Sequence, residues 1–379
     1  MIATLIGAAS VGAWLYLLLG RGFFWRVEEA PEATGPMANA RVTVVIPARD
    51  EAHGIARTVK SLLTQNHPGP LTIVLVDDHS TDGTADHARR AALAVNAADR
   101  LIVLPARDLP PGWTGKLWAV SEGLDRARET APDFILLTDA DITHAPDNVS
   151  TLVRRALADD LDLTSLMVRL STETLPERAL IPAFVFFFFM LYPPRWAANP
   201  ASKLAAAAGG CMLVRPAALE KIGGIAAIRG ALIDDCSLAA AIKRAGGRIR
   251  LDPSTRTRSS RVYGSAGEIW SMIARTAFTQ LHYSTPLLVG TLLGLGVTYL
   301  APPLLTIFGQ DEARWLGIVA WLAMAACFYP TARLYDRSAA WAFALPAIAL
   351  FYSAATFGSA VNYWRGKGGQ WKGRAQAIR

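Results

Sequence analysis

The chain is short of cysteine and short of charge, and each shortage removes a class of explanations. Its three cysteines, Cys211, Cys236 and Cys327, stand far apart in 379 residues, with no Cys-x-x-Cys pair and no histidine at metal-ligand spacing. A disulfide framework and a zinc module are therefore disfavoured, and a reducing compartment suits the chain better. Charged residues make up only 18% while hydrophobic residues reach 52%, and the mean hydropathy is positive. That balance is oily for a soluble protein and points to membrane segments. The net charge of +7 is spread along the chain rather than gathered in blocks. Nucleic-acid binding would be compatible with charge alone, but basic flanks around membrane spans explain the excess more simply, so no nucleic-acid partner is expected. Ser/His and Cys/His nucleophile arrangements are missing, as are internal repeats and low-complexity tracts.

Long apolar runs, by contrast, are plentiful. Residues 2–20, IATLIGAASVGAWLYLLLG, carry no charge and are long enough to cross a bilayer. A cleaved signal would have a basic start and a shorter apolar run. Here Arg21 and Arg26 follow the run, which places the next segment in the cytosol by the positive-inside rule. Residues 1–22 thus read as an anchor, and 23–40, rich in Pro, Ala and Glu, as a linker. Three more runs, 286–308, 315–330 and 341–364, read as membrane helices within 286–364. Residues 266–285 are the interfacial connection before them, and 365–379 form a basic tail. Three full spans would leave that tail outside, against the positive-inside tendency, whereas Arg333 and Arg337 would lie inside; a re-entrant run is the alternative. The stretch AFVFFFFMLYPPRW, 183–196, is too short to span and reads either as an interfacial segment or as an ordinary buried helix.

Between the runs, from about 41 to 265, the pattern changes to short β-branched strands alternating with amphipathic segments. RVTVVIPA, LTIVLVDD and FILLTDAD read as strands, and EAHGIARTVKSLLTQ as a helix between the first two. Strand–helix–strand alternation implies an α/β domain with a parallel sheet. Ligands bind beyond the carboxyl ends of such strands. Each of the three strands ends in acid: Arg49, Asp50 and Glu51 after Pro47, then Asp77 and Asp78, then Asp139 and Asp141. Residues two apart on a strand face the same way, so Asp139 and Asp141 are expected to converge, and converging carboxylates invite a cation with a preference for oxygen. An Asp-x-Asp alone is also common in surface turns. Lys116, before a helix in GWTGKLWA, can reach a diphosphate or a base; a solvated lysine is the bland alternative. Asp234 and Asp235 stand ahead of another amphipathic helix, where capping is the bland role. Gly209 and Gly210 allow close backbone approach, or simply a tight turn. His53, His79, His87, His144 and His282 show no ligand spacing and receive no role.

The set PARDE, VDDHSTDGT, DAD and IDD, in this order and flanked by apolar runs, resembles a family 2 glycosyltransferase of the GT-A fold (a Rossmann-like nucleotide-diphospho-sugar transferase domain). GWTGKLWA, GGCMLVRPAALEKIGG, IDDCSLA and MIARTAFTQL further resemble the ceramide-glucosyltransferase-like and hopene-associated membrane enzymes. The resemblance covers nearly the whole chain. It implies an inverting, metal-dependent transferase acting on a nucleotide-sugar, with a UDP-sugar as donor and a hopanoid or polyprenoid lipid as acceptor. The enzyme would be a multi-pass protein of the bacterial inner membrane with a cytosolic catalytic domain. By the same resemblance Pro47, Arg49, Glu51, Asp77, Asp78 and Lys116 line the donor pocket, with Gly209 and Gly210 beside it. Asp139 and Asp141 hold Mg2+ or Mn2+, Asp141 the more directly. Asp235, beside Asp234, is the base, and Arg275, Trp371 and Arg374 touch the acceptor or diphosphate. The family's Gln-x-x-Arg-Trp motif is replaced by MIARTAF, which argues against a polysaccharide synthase. Two rival readings remain: transfer to a polyprenyl phosphate or an exopolysaccharide precursor, and a catalytically dead scaffold of lipid synthesis.

Overall fold

The computed structural model describes residues 1–29 and 38–366, together with the backbone of 370–371 and 374–375. The chain divides into two compact units. Glu28–Leu170 with Trp196–Arg261 forms an α/β unit, and Met1–Val27, Ser171–Arg195 and Val262–Gly369 form a helical one. The sequence reading treats 41–265 as one continuous catalytic domain; the structure instead interrupts it with the helical excursion 171–195.

The α/β unit holds eight strands: Val42–Ala48 (β1), Leu71–Asp77 (β2), Leu101–Pro105 (β3), Phe134–Thr138 (β4), Ile142–Thr143 (β5), Leu163–Arg169 (β6), Cys211–Val214 (β7) and Ile249–Ser259 (β8). Their order is β3-β2-β1-β4-β7-β6-β8-β5. Strands β3, β2, β1 and β4 are parallel, with Val42 opposite Leu71 on one side and Phe134 on the other. Strand β7 runs antiparallel between β4 and β6, so the sheet is mixed rather than purely parallel. The chain turns outward from β1 through β2 to β3 and then crosses back to β4. The carboxyl ends of β1 and β4 therefore flank a topological switch point, where open α/β sheets form their crevice.

Every residue of β1 is buried. Val42, Val44 and Ile46 enter one core with Ile55, Val59 and Leu62, the apolar stripe of helix Ile55–Leu63. Val45 enters the opposite core with Leu117, Val120 and Leu124 of helix Gly115–Arg128. A strand apolar on both faces is what a sheet covered on both sides requires. Gly123 makes the second cover possible: a Cβ there would lie 2.4 Å from Val45 Cγ1 and 3.1 Å from Val76 Cγ2.

Among the described residues five helical stretches are long and apolar enough to cross a membrane: Ile2–Gly20, Leu175–Ala198, Thr285–Phe308, Asp311–Leu334 and Ala339–Trp364. The run read from sequence as 315–330 is longer in the structure. Asp311 and Glu312 occupy its first turn and Arg333 its last, where hydropathy trims the pattern but the helix dipole welcomes those charges. The stretch read as 183–196 likewise belongs to a longer apolar stretch. Its helix begins at Leu175 behind a Thr174–Glu177 capping box, and Glu177, fully buried, also accepts from Tyr263 N. Within the expected connection 266–285, helix Ala266–Gln280 packs on Leu345–Trp364, with Ser359 Oγ accepting from Phe278 N at 3.0 Å. The linker 23–40 lies partly outside the described residues.

Candidate functional site

Two loops meet at the carboxyl ends of β1 and β2. Thr81 N donates to Asp50 Oδ1 at 2.8 Å and Asp50 N to Ser80 Oγ at 3.0 Å. Glu51 N donates to Thr84 Oγ1 and Ala52 N to Asp82 Oδ2, at 2.8 and 2.9 Å. Reciprocal bonding lets Asp50 and His79 hold positive φ, a region their short polar groups tolerate. Behind this lock Arg49 Nη1 donates to Asp78 O at 2.7 Å and lies 3.5 Å from the buried Asp78 carboxylate. Asp77, in contrast, spends an oxygen locally, accepting from Ser80 N at 3.1 Å.

Across the switch point Lys116 joins two acidic motifs, that of Asp139 and that of Asp234. Its ammonium lies 2.9 Å from Asp139 Oδ1 and 3.1 Å from Asp234 Oδ2. Burial by itself would favour a neutral amine, but the charges of Asp139 and Asp234 outweigh it and hold the group well above the usual lysine range. Lys116 sits not before the helix, as read from sequence, but in the first turn of Gly115–Arg128, whose cap Thr114 accepts from Leu117 N. A small cavity of about 20 Å³ is lined by Pro47, Lys116, Asp139, Gly209 and Asp234 among others.

Asp235 stands beside this junction. Its Oδ1 accepts from Cys236 N at 2.7 Å and its Oδ2 from Gly209 N at 2.9 Å. Asp234 and Asp235 likewise lie within, rather than ahead of, helix Asp234–Arg244. Burial, then the charge of Asp234, push the Asp235 carboxyl up to about 6, against the opposing pull of Lys116 and the two backbone N–H groups. A Cβ on Gly209 would stand 3.4 Å from Asp235 Oδ2 and 3.5 Å from Lys116 Nζ, filling the space between carboxyl and ammonium.

The Asp139–Asp141 pair does not follow strand alternation, because β4 ends at Thr138 and both aspartates lie in the turn before β5. Asp139 turns to Lys116, whereas Asp141 Oδ2 accepts from Ser259 Oγ at 2.8 Å. Their charges still meet. Burial first, then Asp139 and more weakly Glu51, raise the Asp141 carboxyl above its ordinary range. Among the described residues no three His, Cys, Asp or Glu side chains form a protein-only metal cage. Mg2+ and Mn2+ do not need one where substrate phosphates complete the shell. Two mutually repelling carboxyls of hard oxygen character are a donor set of that kind, so these residues fit such an ion.

Beneath the turn lies a set that sequence reasoning missed. His144 is buried, and burial pushes its pKa down to about 3, leaving a neutral ring. Asn148 Nδ2 is 2.9 Å from its Nδ1 and Thr138 Oγ1 is 3.1 Å from its Nε2. Because the amide can only donate, the Nε2–H tautomer is assigned, and Nε2 donates to Thr138. Thr138 Oγ1 then donates to Gly210 O at 2.7 Å. One hydrogen-bonded line thus runs from β4 to the Gly209–Gly210 turn that holds Asp235. Nothing in the local sequence marks these residues: a lone His, Thr and Asn carry no motif. Of the remaining expected residues, Arg275 is exposed on helix Ala266–Gln280 of the helical unit. Trp371 and Arg374 pair as two short antiparallel strands, and their side chains lie outside the described residues.

Comparison with known proteins agrees with this architecture. Residues 43–223 match the family described as Glycosyl transferase family 2. A 116-residue stretch is 32% identical to the 4,4'-diaponeurosporenoate glycosyltransferase of Staphylococcus aureus (strain USA300), covering 30% of this chain and 28% of that relative. The match therefore spans less than a third of the relative's length. The mannosyltransferase PcManGT from Pyrobaculum calidifontis, solved in complex with GDP-Man and Mn2+, superposes with a TM-score of 0.58 at 20% identity, over 96% of this chain and 99% of that one. The fold is GT-A: a mixed Rossmann-like α/β unit, accompanied by N- and C-terminal apolar helices.

Proposed function

We propose that this chain is a membrane-bound glycosyltransferase that moves a sugar from a nucleoside-diphosphate donor to a lipid acceptor. The observation that carries the reading is the junction at the switch point, where Lys116 is shared by Asp139 and Asp234 with Asp235 next in the chain. That arrangement brings a diphosphate-side motif and a base-side motif within one side chain of each other.

In this reading Arg49, Glu51, Asp77 and Asp78 line the nucleoside pocket, and Asp235 takes the proton of the acceptor hydroxyl. The acceptor oxygen forms its bond to the anomeric carbon from one face as the carbon–phosphate oxygen bond breaks on the other, so configuration inverts and the nucleoside diphosphate departs. Both Asp235 oxygens are fixed by backbone N–H groups, and a carboxyl near 6 balances availability as a base against proton affinity. Asp139 and Asp141 would hold Mg2+ or Mn2+, which when bound neutralises charge on the leaving diphosphate. Lys116 adds a fixed positive charge on the same side.

A lipid acceptor is supported by the apolar helices and by the name of the Staphylococcus relative. Leu175–Ala198 adds a topological argument. It leaves after β6 and returns before β7, and these strands are hydrogen-bonded neighbours. A segment that departs from and re-enters one folded sheet cannot make a single crossing, and irregular backbone cannot carry the return through hydrocarbon. We therefore assign this stretch to the membrane interface, where a lipid can approach. In this reading the protein is a bacterial inner-membrane enzyme with a cytosolic catalytic unit, an orientation supported by Arg21 and Arg26 after the first run. A UDP-sugar donor and a hopanoid or polyprenoid acceptor are the specific forms the sequence resemblance suggests.

The test is turnover of a panel of UDP- and GDP-sugars by the full chain in nanodiscs, with and without Mn2+, with a lipid extract as acceptor. Metal-dependent nucleotide release that requires the extract supports the reading; no turnover of any donor favours the scaffold alternative. Asp235→Asn separates the hydroxyl-acceptor reading from the polyprenyl-phosphate one, since a phosphate nucleophile arrives without a proton to remove.

A further inference from the structure

On the far side of helix Asp234–Arg244 from the sheet lies a second, much larger concavity of about 1010 Å³. Its wall combines three segments: the chain just after the apolar stretch Leu175–Ala198, the turn around Ile228–Ala231, and the outer face of the helix that carries Asp235. Four cations line it, Lys203, Arg229, Lys243 and Arg244, and no acidic residue does. Elsewhere in the unit Arg107, Arg155, Arg215, Arg250 and Arg256 each pair with a carboxylate, whereas Arg57 and Arg248 have no ion pair among the described residues. Among the described residues no ion pair involves Lys203, Arg229 or Arg244.

Lys243 has a different task. Its ammonium donates to Ala197 O and Leu204 O, each at 2.6 Å, and to Trp196 O at 3.3 Å. It staples the segment following the apolar stretch onto the helix, so the wall that bears Lys203 is fixed to the wall that bears Arg244. Arg229 projects from a turn anchored by its own carbonyl, which accepts from Thr114 N at 2.9 Å. The walls of the concavity are therefore braced, and the exposed side chains of Lys203, Arg229 and Arg244 stand on braced backbone. The basin also adjoins the site already described: Ile228 lines both cavities, and Ser237 of the basin is one helical turn from Asp234. Uncompensated like charges facing one basin repel unless an anion sits among them, and guanidinium groups match the planar geometry of phosphate and carboxylate.

We propose that this basin is a binding site for the oxyanion group, phosphate or carboxylate, of an amphiphilic ligand. The amphiphilic character of the ligand rests on the transferase reading, in which the acceptor is a lipid; the binding of the oxyanion itself stands alone.

The experiment uses the full chain in neutral phosphatidylcholine nanodiscs and measures saturable binding of radiolabelled dodecyl phosphate against empty nanodiscs. Wild type should bind, and Arg229→Gln/Arg244→Gln should weaken binding by about tenfold or more, with affinity falling as salt rises. Arg229→Lys/Arg244→Lys keeps the charge and should stay within about threefold of wild type, which separates lost charge from lost folding. Competition by inorganic phosphate would mean the site takes a free oxyanion as well. Its failure to compete would mean the apolar tail is required; either supports the basin. Wild-type binding by the glutamine variant, or no binding above empty nanodiscs, overturns the proposal. Nucleotide release from sugar donors without lipid is measured on the same preparations, so failure of the transferase reading is seen separately.

Discussion

Leu136 in β4 and Leu293 in Thr285–Phe308 are the same residue in opposite circumstances. The first is fully buried; the second is 67% exposed, alongside Phe308 at 75% and Trp315 at 68%. In the α/β unit apolar side chains leave water by packing on one another. In the helical unit they face outward, and in the membrane-bound reading proposed above hydrocarbon would replace water as their surroundings. What differs is the solvent each unit is built for, and that decides which substitutions matter.

The largest expected effect concerns the chemistry carried by the α/β unit alone. Asp235→Asn should lower kcat by about 10²–10⁴-fold, a range typical of losing a general base. The chain should still fold, although the amide nitrogen cannot accept from Gly209 N or Cys236 N as both Asp235 oxygens do. The pH profile supplies a second reading. Because the Asp235 carboxyl is raised to about 6, the active, deprotonated form predominates above that value. Wild-type kcat/KM should therefore fall as pH drops through about 6, and the asparagine variant should lack that limb. A variant retaining both rate and limb would remove Asp235 from the mechanism.

Next comes the matched pair that tests the solvent contrast. Leu136→Ala opens a cavity in a close-packed core and should cost about 2–5 kcal/mol in denaturant unfolding of the α/β unit. Leu293→Ala should stay within about 0.5 kcal/mol, as surface changes do. Equal costs at the two positions would mean the outward apolar faces are covered by protein. Charge sharpens the same comparison: Leu293→Asp should oppose membrane insertion by about 2.5–3.5 kcal/mol if the residue meets the bilayer centre, read as loss from the membrane fraction.

Smaller still is Gly123→Ala. The added methyl would meet Val45 at 2.4 Å, and overpacking of this kind costs about 1–3 kcal/mol. Gly290, where an added Cβ would find nothing within 4 Å, offers the control: alanine there should be neutral or slightly favourable by melting temperature.

Much of this was legible in the chain. The strands around VTVVI and LTIVLV announce themselves because both faces of a central parallel strand must be apolar. The apolar run 2–20 and the late runs are equally plain as helices long enough to span, since a bilayer demands about twenty uncharged residues in succession. The acidic strand ends pointed to one crevice because parallel strands bring their carboxyl ends to one edge. The Asp139–Asp141 argument from alternation was a poor guide, however: the strand stops one residue earlier, and a turn, not a pleat, orients the two carboxylates. Helix starts were misjudged at Lys116 and Asp234 by a residue or two, since caps and first turns share the same polar residues.

The sequence by itself determined which segments seek water, which seek hydrocarbon and which carry acid, because those preferences belong to individual side chains and their local spacing. Only the tertiary structure decided that Lys116 bridges Asp139 and Asp234, that Gly209 holds Asp235, that a neutral His144 braces the turn from below, and that Lys203, Arg229 and Arg244 share one basin. These pairings join residues tens to more than a hundred positions apart. They arise from the β1–β4 switch and the insertion of β7 between β4 and β6, and a chain order cannot display which distant neighbours a sheet will bring within hydrogen-bonding distance.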